Sequence, residues 1–203
     1  MLSLINGVKC QNGLCMKHTF TKTLEDCPVI AAVKDNEGLE QCLSSESSIV
    51  FILYGDILTI SDIVNRVKEC GKLAMVHVDL ISGLSSKEIS VDFIKEHTRA
   101  DGIISTKPML IKRAKELSLY TILRFFVIDS MAYENIKKQC TNVKPDCIEI
   151  LPGIMPKVIK KICNTQNIPV IAGGLISDKE DIMQALDAGA VSISTTNPKV
   201  WFM

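Results

Sequence analysis

Apolar residues in this chain gather into short β-branched runs, each followed by a polar break and often by an apolar stripe at helical spacing. The runs are PVIAAVK (28–34), IVFILYG (49–55), LAMVHVD (73–79), DGIIST (101–106), YTILRFFVID (120–129), DCIEILPG (146–153), PVIAGGLI (169–176) and AVSISTTN (190–197). Helical stripes lie between them at SDIVNRVKECG (61–71), KPMLIKRAKELS (107–118), MPKVIKKIC (155–163) and DKEDIMQALDAG (178–189). Gly71 and Gly189 stand where a helix end favours a left-handed residue. Successive runs start roughly 23 residues apart, the length of a short strand and helix pair.

Strict alternation of strand and helix predicts a parallel sheet, and eight units closing on themselves predict a (β/α)8 TIM barrel of the phosphate-binding type. An open doubly wound sheet is the competing architecture, but its GxGxxG fingerprint is missing. The chain is shorter than the ~250 residues usual for such barrels, so its helices must be short. The last is expected to be stunted, with Asn197 as a cap and Pro198 at the first helical position. Residues 28–203 therefore read as one barrel domain. Residues 1–27 read either as an N-terminal extension of uncertain order or as a helix closing the barrel bottom.

Strand alternation fixes which side chains meet at the barrel mouth. It turns Leu73, Met75, His77 and Asp79 inward on the third strand and Ala74, Val76 and Val78 toward the helices. By the same rule Lys34, Arg124 and Glu149 face inward at the upper ends of their strands, with Lys107 nearby. Charges so placed must be paired, either as a network that merely closes the barrel or as a site for an anionic ligand. The ends of the last two strands favour the ligand. Gly173 and Gly174, then Ser194, Thr195 and Thr196, offer backbone amides and hydroxyls where barrels commonly hold phosphate. With Lys107 they form the expected phosphate set. Lys34, Asp79, Arg124 and Glu149 form the expected rim, the carboxylates receiving ligand hydroxyls. His77 reads as a packed residue one layer below that rim.

Composition narrows the function classes. The chain has 203 residues, 47% of them apolar, enough for one sizeable core. Its 23 basic and 23 acidic residues cancel, which argues against polyanion binding by bulk charge. Local basic faces remain: Lys157, Lys160 and Lys161 on one helix, and Lys112, Arg113 and Lys115 on another. Either also reads as a solvated helix face. The eight cysteines, without a CxxC pair, fit reduced and buried residues of a cytoplasmic protein better than a metal site or disulfide framework. No apolar run approaches the ~18 residues of a membrane span. Neither a metal-ligand spacing nor a nucleophilic triad is visible, so no metal and no catalytic residue is expected.

The motifs HVDLISGL (77–84), DGIISTK (101–107), LRFFVIDS (123–130), IEILPGIMPK (148–157), IPVIAGGLI (168–176) and AVSISTTNPKVW (190–201) resemble, in that order, the glycerol uptake operon antiterminator regulatory proteins. The resemblance implies a regulator that is not an enzyme. Its effector would be glycerol 3-phosphate, it would have no cofactor, and its partner would be a leader mRNA. Lys157, Lys160 and Lys161 are the candidate RNA contacts. The alternative is a phosphate-binding barrel enzyme acting on a glycerol phosphate.

Overall fold

The computed structural model describes residues 14–203, with side chains from Phe20 onward; residues 1–13 of the expected extension lie outside the described residues. Eight parallel strands close a barrel in chain order: β1 (Val29–Val33), β2 (Ile49–Ile52), β3 (Leu73–His77), β4 (Gly102–Ser105), β5 (Tyr120–Phe126), β6 (Cys147–Leu151), β7 (Val170–Gly173) and β8 (Ser192–Thr195). The connecting helices are α2 (Asn36–Leu43), α3 (Ile60–Glu69), α4 (Ile89–His97), α5 (Pro108–Glu116), α6 (Ser130–Val143), α7 (Pro156–Thr165) and α8 (Lys179–Asp187). After β8 the chain makes only a short 3-10 helix, Pro198–Phe202. The fold is the expected (β/α)8 barrel with a stunted last helix.

Alternation along the strands sorts the core into layers. Ala31, Val33, Val50, Ile52, Ala74, Val76, Ile103, Leu123, Ile148 and Ile150 face the helices in a continuous buried cluster. Ile30, Ala32, Ile49, Phe51, Met75, Ile104, Ile122, Cys147 and Ile171 fill the barrel interior. Phe20 and Leu24 join this interior cluster from α1 (Leu14–Asp26), the helix that precedes β1. Phe20 stacks on Tyr120 at the start of β5, ring centroids 4.5 Å apart. Ser192 Oγ at the start of β8 donates to the carbonyls of Leu24 (3.2 Å) and Cys27 (3.0 Å). Among the residues before β1, 14–26 thus form a helix that covers the bottom of the barrel and leaves the mouth open.

Gly71 and Gly189 follow α3 and α8 at φ +73° and +103°, the left-handed conformation their positions predict. The six described cysteines are free thiols, four of them buried.

Candidate functional site

A buried ion pair forms the floor of the mouth. Arg124 and Glu149 face each other in the β5–β6 register, and Arg124 Nε donates to Glu149 Oε2 at 2.6 Å. The other carboxylate oxygen accepts from Ser194 Oγ at 2.5 Å. Both charged side chains are almost wholly removed from water, so each depends on the other for the hydration it has lost. The first glycine of the pair answers to this carboxylate. A Cβ at position 173 would lie 2.5 Å from Glu149 Oε1 and 2.6 Å from Ser194 Oγ, too close for either to stay.

Above the ion pair lies a cavity of about 420 Å³. Arg124, Glu149 and Leu151 line one side; the loop 174–177 after β7 and residues 194–197 at the end of β8 line the other. Gly174 (φ +77°) and Leu175 (φ +64°) both adopt positive φ. A left-handed leucine costs on the order of 1 kcal/mol or more. This turn borders the cavity with peptide groups: the amides of Leu175, Ile176 and Thr196 donate to no group among the described residues. α8 begins beyond the cavity lining, with Asp178 accepting from the Asp181 amide and Asp181 from the amide and hydroxyl of Ser177. An anion here would meet the loop amides.

The expected phosphate set is only partly gathered. Gly174, Ser194, Thr195 and Thr196 line the cavity. The Thr195 hydroxyl turns away and donates to the Ile176 carbonyl at 2.8 Å, with Trp201 Nε1 on the Thr195 carbonyl below. Gly173 lies behind Glu149. Lys107, at the end of β4 opposite β8, is not among the lining residues; its ammonium pairs with Asp79 Oδ1 at 3.2 Å and also donates to Ser86.

Asp79 organises the β3–β4 side of the mouth. It sits in a single 3-10 turn, Val78–Leu80, and accepts from Ser105 Oγ (3.0 Å), the Thr106 amide (2.8 Å) and Thr106 Oγ1 (3.2 Å). Burial alone would raise its pKa; the bonds from Thr106, Lys107 and Ser105 outweigh burial and hold it below the usual carboxylate range. Ser105 and Thr106 were passed over in the sequence, although the hydroxyls closing DGIIST signal such a role. His77 occupies the interior position above Met75, buried, with Nδ1 making no hydrogen bond and lying 3.9 Å from Asp79 Oδ2. Burial first, then the Arg124 charge, push its imidazole down to about 4, against the pull of Asp79.

Lys34 departs from the expected rim. It is exposed beyond β1 and lines a neighbouring cavity with Asp35, Glu37, Gln41 and Trp201. β1 ends at Val33, one residue earlier, so interior alternation does not reach it. The α7 lysines are all exposed, and Lys157 lines one pocket with Lys161 and another with Lys160. Lys157 and Lys161 line a groove against α6, where the Lys161 ammonium lies 4.4 Å from the centre of the Tyr133 ring. Lys160 faces α8, beside Gln184 and Asp187. On α5, Arg113 is engaged by Asp92 and Glu116, which leaves α7 the less neutralised helix. Among the described residues no group of three potential ligands is placed to hold a metal ion, and no helix is long and apolar enough to cross a membrane.

Fold and site together define a closed (β/α)8 barrel whose polar mouth is bordered by unpaired loop amides. Residues 29–201 match the glycerol-3-phosphate responsive antiterminators, and the chain belongs to that family of regulatory proteins. It is 49% identical over 178 residues to the uncharacterised protein YgcP of Escherichia coli K12, covering 88% of this chain and 93% of that one. The crystal structure of the glycerol uptake operon antiterminator regulatory protein from Listeria monocytogenes superposes with a TM-score of 0.82 at 35% identity, covering 85% of this chain and 94% of that one. An antiterminator-related protein from Thermotoga maritima gives 0.78 at 34% identity, covering 87% and 99%. Deoxyribose phosphate aldolase from Aeropyrum pernix, at 11% identity and a TM-score of 0.65 over 88% of each chain, shares the fold alone.

Proposed function

We propose that the cavity above the Arg124–Glu149 pair receives glycerol 3-phosphate, and that its occupancy governs contact between the exposed α7 lysines and the leader mRNA of a glycerol-utilisation operon. The observation that carries this reading is the border of the cavity on the β7–β8 side. Leu175, Ile176 and Thr196 line this side with amides that have no partner among the described residues, and Thr196 adds a hydroxyl; these are the donors a phosphate takes, in a chain of this family. A role as binder rather than catalyst is supported by the state of the ionisable groups. Arg124 and Glu149 bond each other, Lys107 and Asp79 do the same, and an imidazole pushed down to about 4 is a weak base.

Two measurements on the full chain test the proposal. Calorimetry is expected to show one site for glycerol 3-phosphate, and a leader-RNA gel shift is expected to change when that ligand is added. A shift indifferent to the ligand overturns the regulatory reading. Conversion of glycerol 3-phosphate during a long incubation would establish the enzyme alternative.

A further inference from the structure

Exposed apolar side chains gather at one end of the barrel. Among the residues whose side chains are described, every exposed Leu, Ile, Met and Phe except Met183 lies at the mouth, on a strand end, a loop after a strand, the first turn of a helix or the segment after β8. Two crests stand out. Ile57, Leu58 and Leu80 follow β2 and β3, and their loops are laced together by the Asp56–Ser82 bridge and by the Ile57 amide donating to the Ser82 carbonyl at 3.0 Å. Ile128, Met131 and Leu175 follow β5 and β7, laced through the loop after β6: the Val127 amide donates to the Leu151 carbonyl (2.9 Å) and the Gly153 amide to that of Gly174 (3.0 Å). Leu58 is 84% exposed and Ile128 83%. In the closed ring β2 lies across from β6 and β3 across from β7, so the crests flank the opening on opposite sides.

We infer that the mouth is the interface of a two-fold dimer, in which the β2–β3 crest of each copy packs on the β5–β7 crest of the other. Monomers rarely leave more than a few hundred Å² of apolar surface on one face. A well-exposed side chain of this size offers on the order of 100 Å², so the mouth end approaches the ~800 Å² per partner of a stable interface. The charges beside the crests select a second copy as the occupant. Lys87 and Glu88 are exposed on one side, Asp129 and Lys157 on the other; signs so mixed suit neither a polyanion nor an anionic membrane. A two-fold axis running across the mouth between the crests sets each crest on its opposite number. That crossed arrangement offers Asp129 and Lys157 the opposite charges of Lys87 and Glu88, whereas crests paired like on like would set each charge against its own copy. Leu175 belongs both to a crest and to the lining of the cavity above Arg124 and Glu149, so the partner roofs that cavity and exchange of its contents is tied to assembly. The inference concerns assembly and stands independently of the proposed ligand.

The test is sedimentation velocity on the full chain over a range of concentrations, with no ligand added. The wild type is expected to be a dimer at micromolar concentration. Leu58→Glu and Ile128→Lys, whose side chains are exposed in the single chain, are each expected to raise the dimer dissociation constant at least 100-fold while melting as the isolated barrel does. Mixing the two variants is expected to restore a dimer, because one crossed contact then joins the new glutamate to the new lysine and the other keeps Leu58 on Ile128. A wild type that stays monomeric at every concentration overturns the inference, and so does a dimer that neither substitution weakens. Variants that each dissociate but fail to recombine overturn the crossed pairing of the crests. All three outcomes leave the proposed function standing.

Discussion

A methyl group at position 173 would overlap both Glu149 Oε1 and Ser194 Oγ. Gly173→Ala must therefore displace the carboxylate that holds Arg124, and overpacking of this kind costs about 1 to 3 kcal/mol. Thermal melts should show that loss together with weakened glycerol 3-phosphate binding. Gly174→Val introduces a different fault, a branched side chain at φ +77° on the cavity wall, so binding should suffer even where the protein stays folded. His77 makes stability depend on pH in a definite window. Its folded pKa of about 4 lies below the ordinary imidazole value of 6.5, so below pH 6.5 the unfolded chain binds the extra proton and the native state loses ground. The loss should begin near pH 6.5, reach up to about 3 kcal/mol and level off below pH 4. Arg124 and Lys107 reinforce it and Asp79 opposes it. Denaturant titrations across that range should be visibly flatter in His77→Gln; an equal pH slope would assign the effect elsewhere.

Among the elements, α1 closes the barrel bottom. Phe20 and Leu24 are fully buried in the barrel interior, and Phe20→Ala should cost about 3 to 5 kcal/mol, read as a fall in the denaturant midpoint with no change in effector specificity. The eight strands were legible because each is a compact β-branched run, and four of the helices because their apolar stripes are clean. Weaker stripes hid α2, α4 and α6: ISVDFIKEH and SMAYENIKKQCTNV bury only two or three residues each. In the barrel, inward alternation placed Arg124, Glu149 and His77 in the interior, while Asp79 reaches the mouth from a 3-10 turn beyond the end of β3. It could not foresee that Arg124 and Glu149 would bond each other, that Lys107 would turn to Asp79, or that β1 would end before Lys34. Those outcomes depend on side-chain distances across the barrel, which periodicity along one strand does not encode. The same holds for Lys72, whose ammonium is buried at the barrel bottom on the carbonyls of Ser45 and Ser47.

For the whole molecule, equal numbers of positive and negative residues make any basic patch a matter of arrangement. α7 carries three lysines and no acidic residue, and its groove against α6 begins at the loops that follow β5 and β6, the strands bearing Arg124 and Glu149. On the proposed function, a ligand held above that pair would bias the groove, and a coupling of about 1 to 3 kcal/mol suffices for a switch. Replacing Lys157, Lys160 and Lys161 together by Gln should weaken leader-RNA binding and flatten its salt dependence by about one counterion per lost phosphate contact. Glycerol 3-phosphate affinity without RNA should persist. An unaltered slope in RNA titrations at several salt concentrations would exclude α7.

The seam between β1 and β8 has a consequence for how the protein comes into being. Most of the cavity wall lies in residues 174–197, while Ala32 on the first strand completes it. The carbonyls of Leu24 in α1 and of Cys27 just after it likewise receive Ser192 from the last strand. On the ribosome, the opening strand and its helix must wait through nearly the entire synthesis for their closing neighbour. A chain broken off before β8 has no sealed ring and lacks the 194–197 wall of the cavity, so the complete mouth exists only in molecules whose translation has run through the final strand.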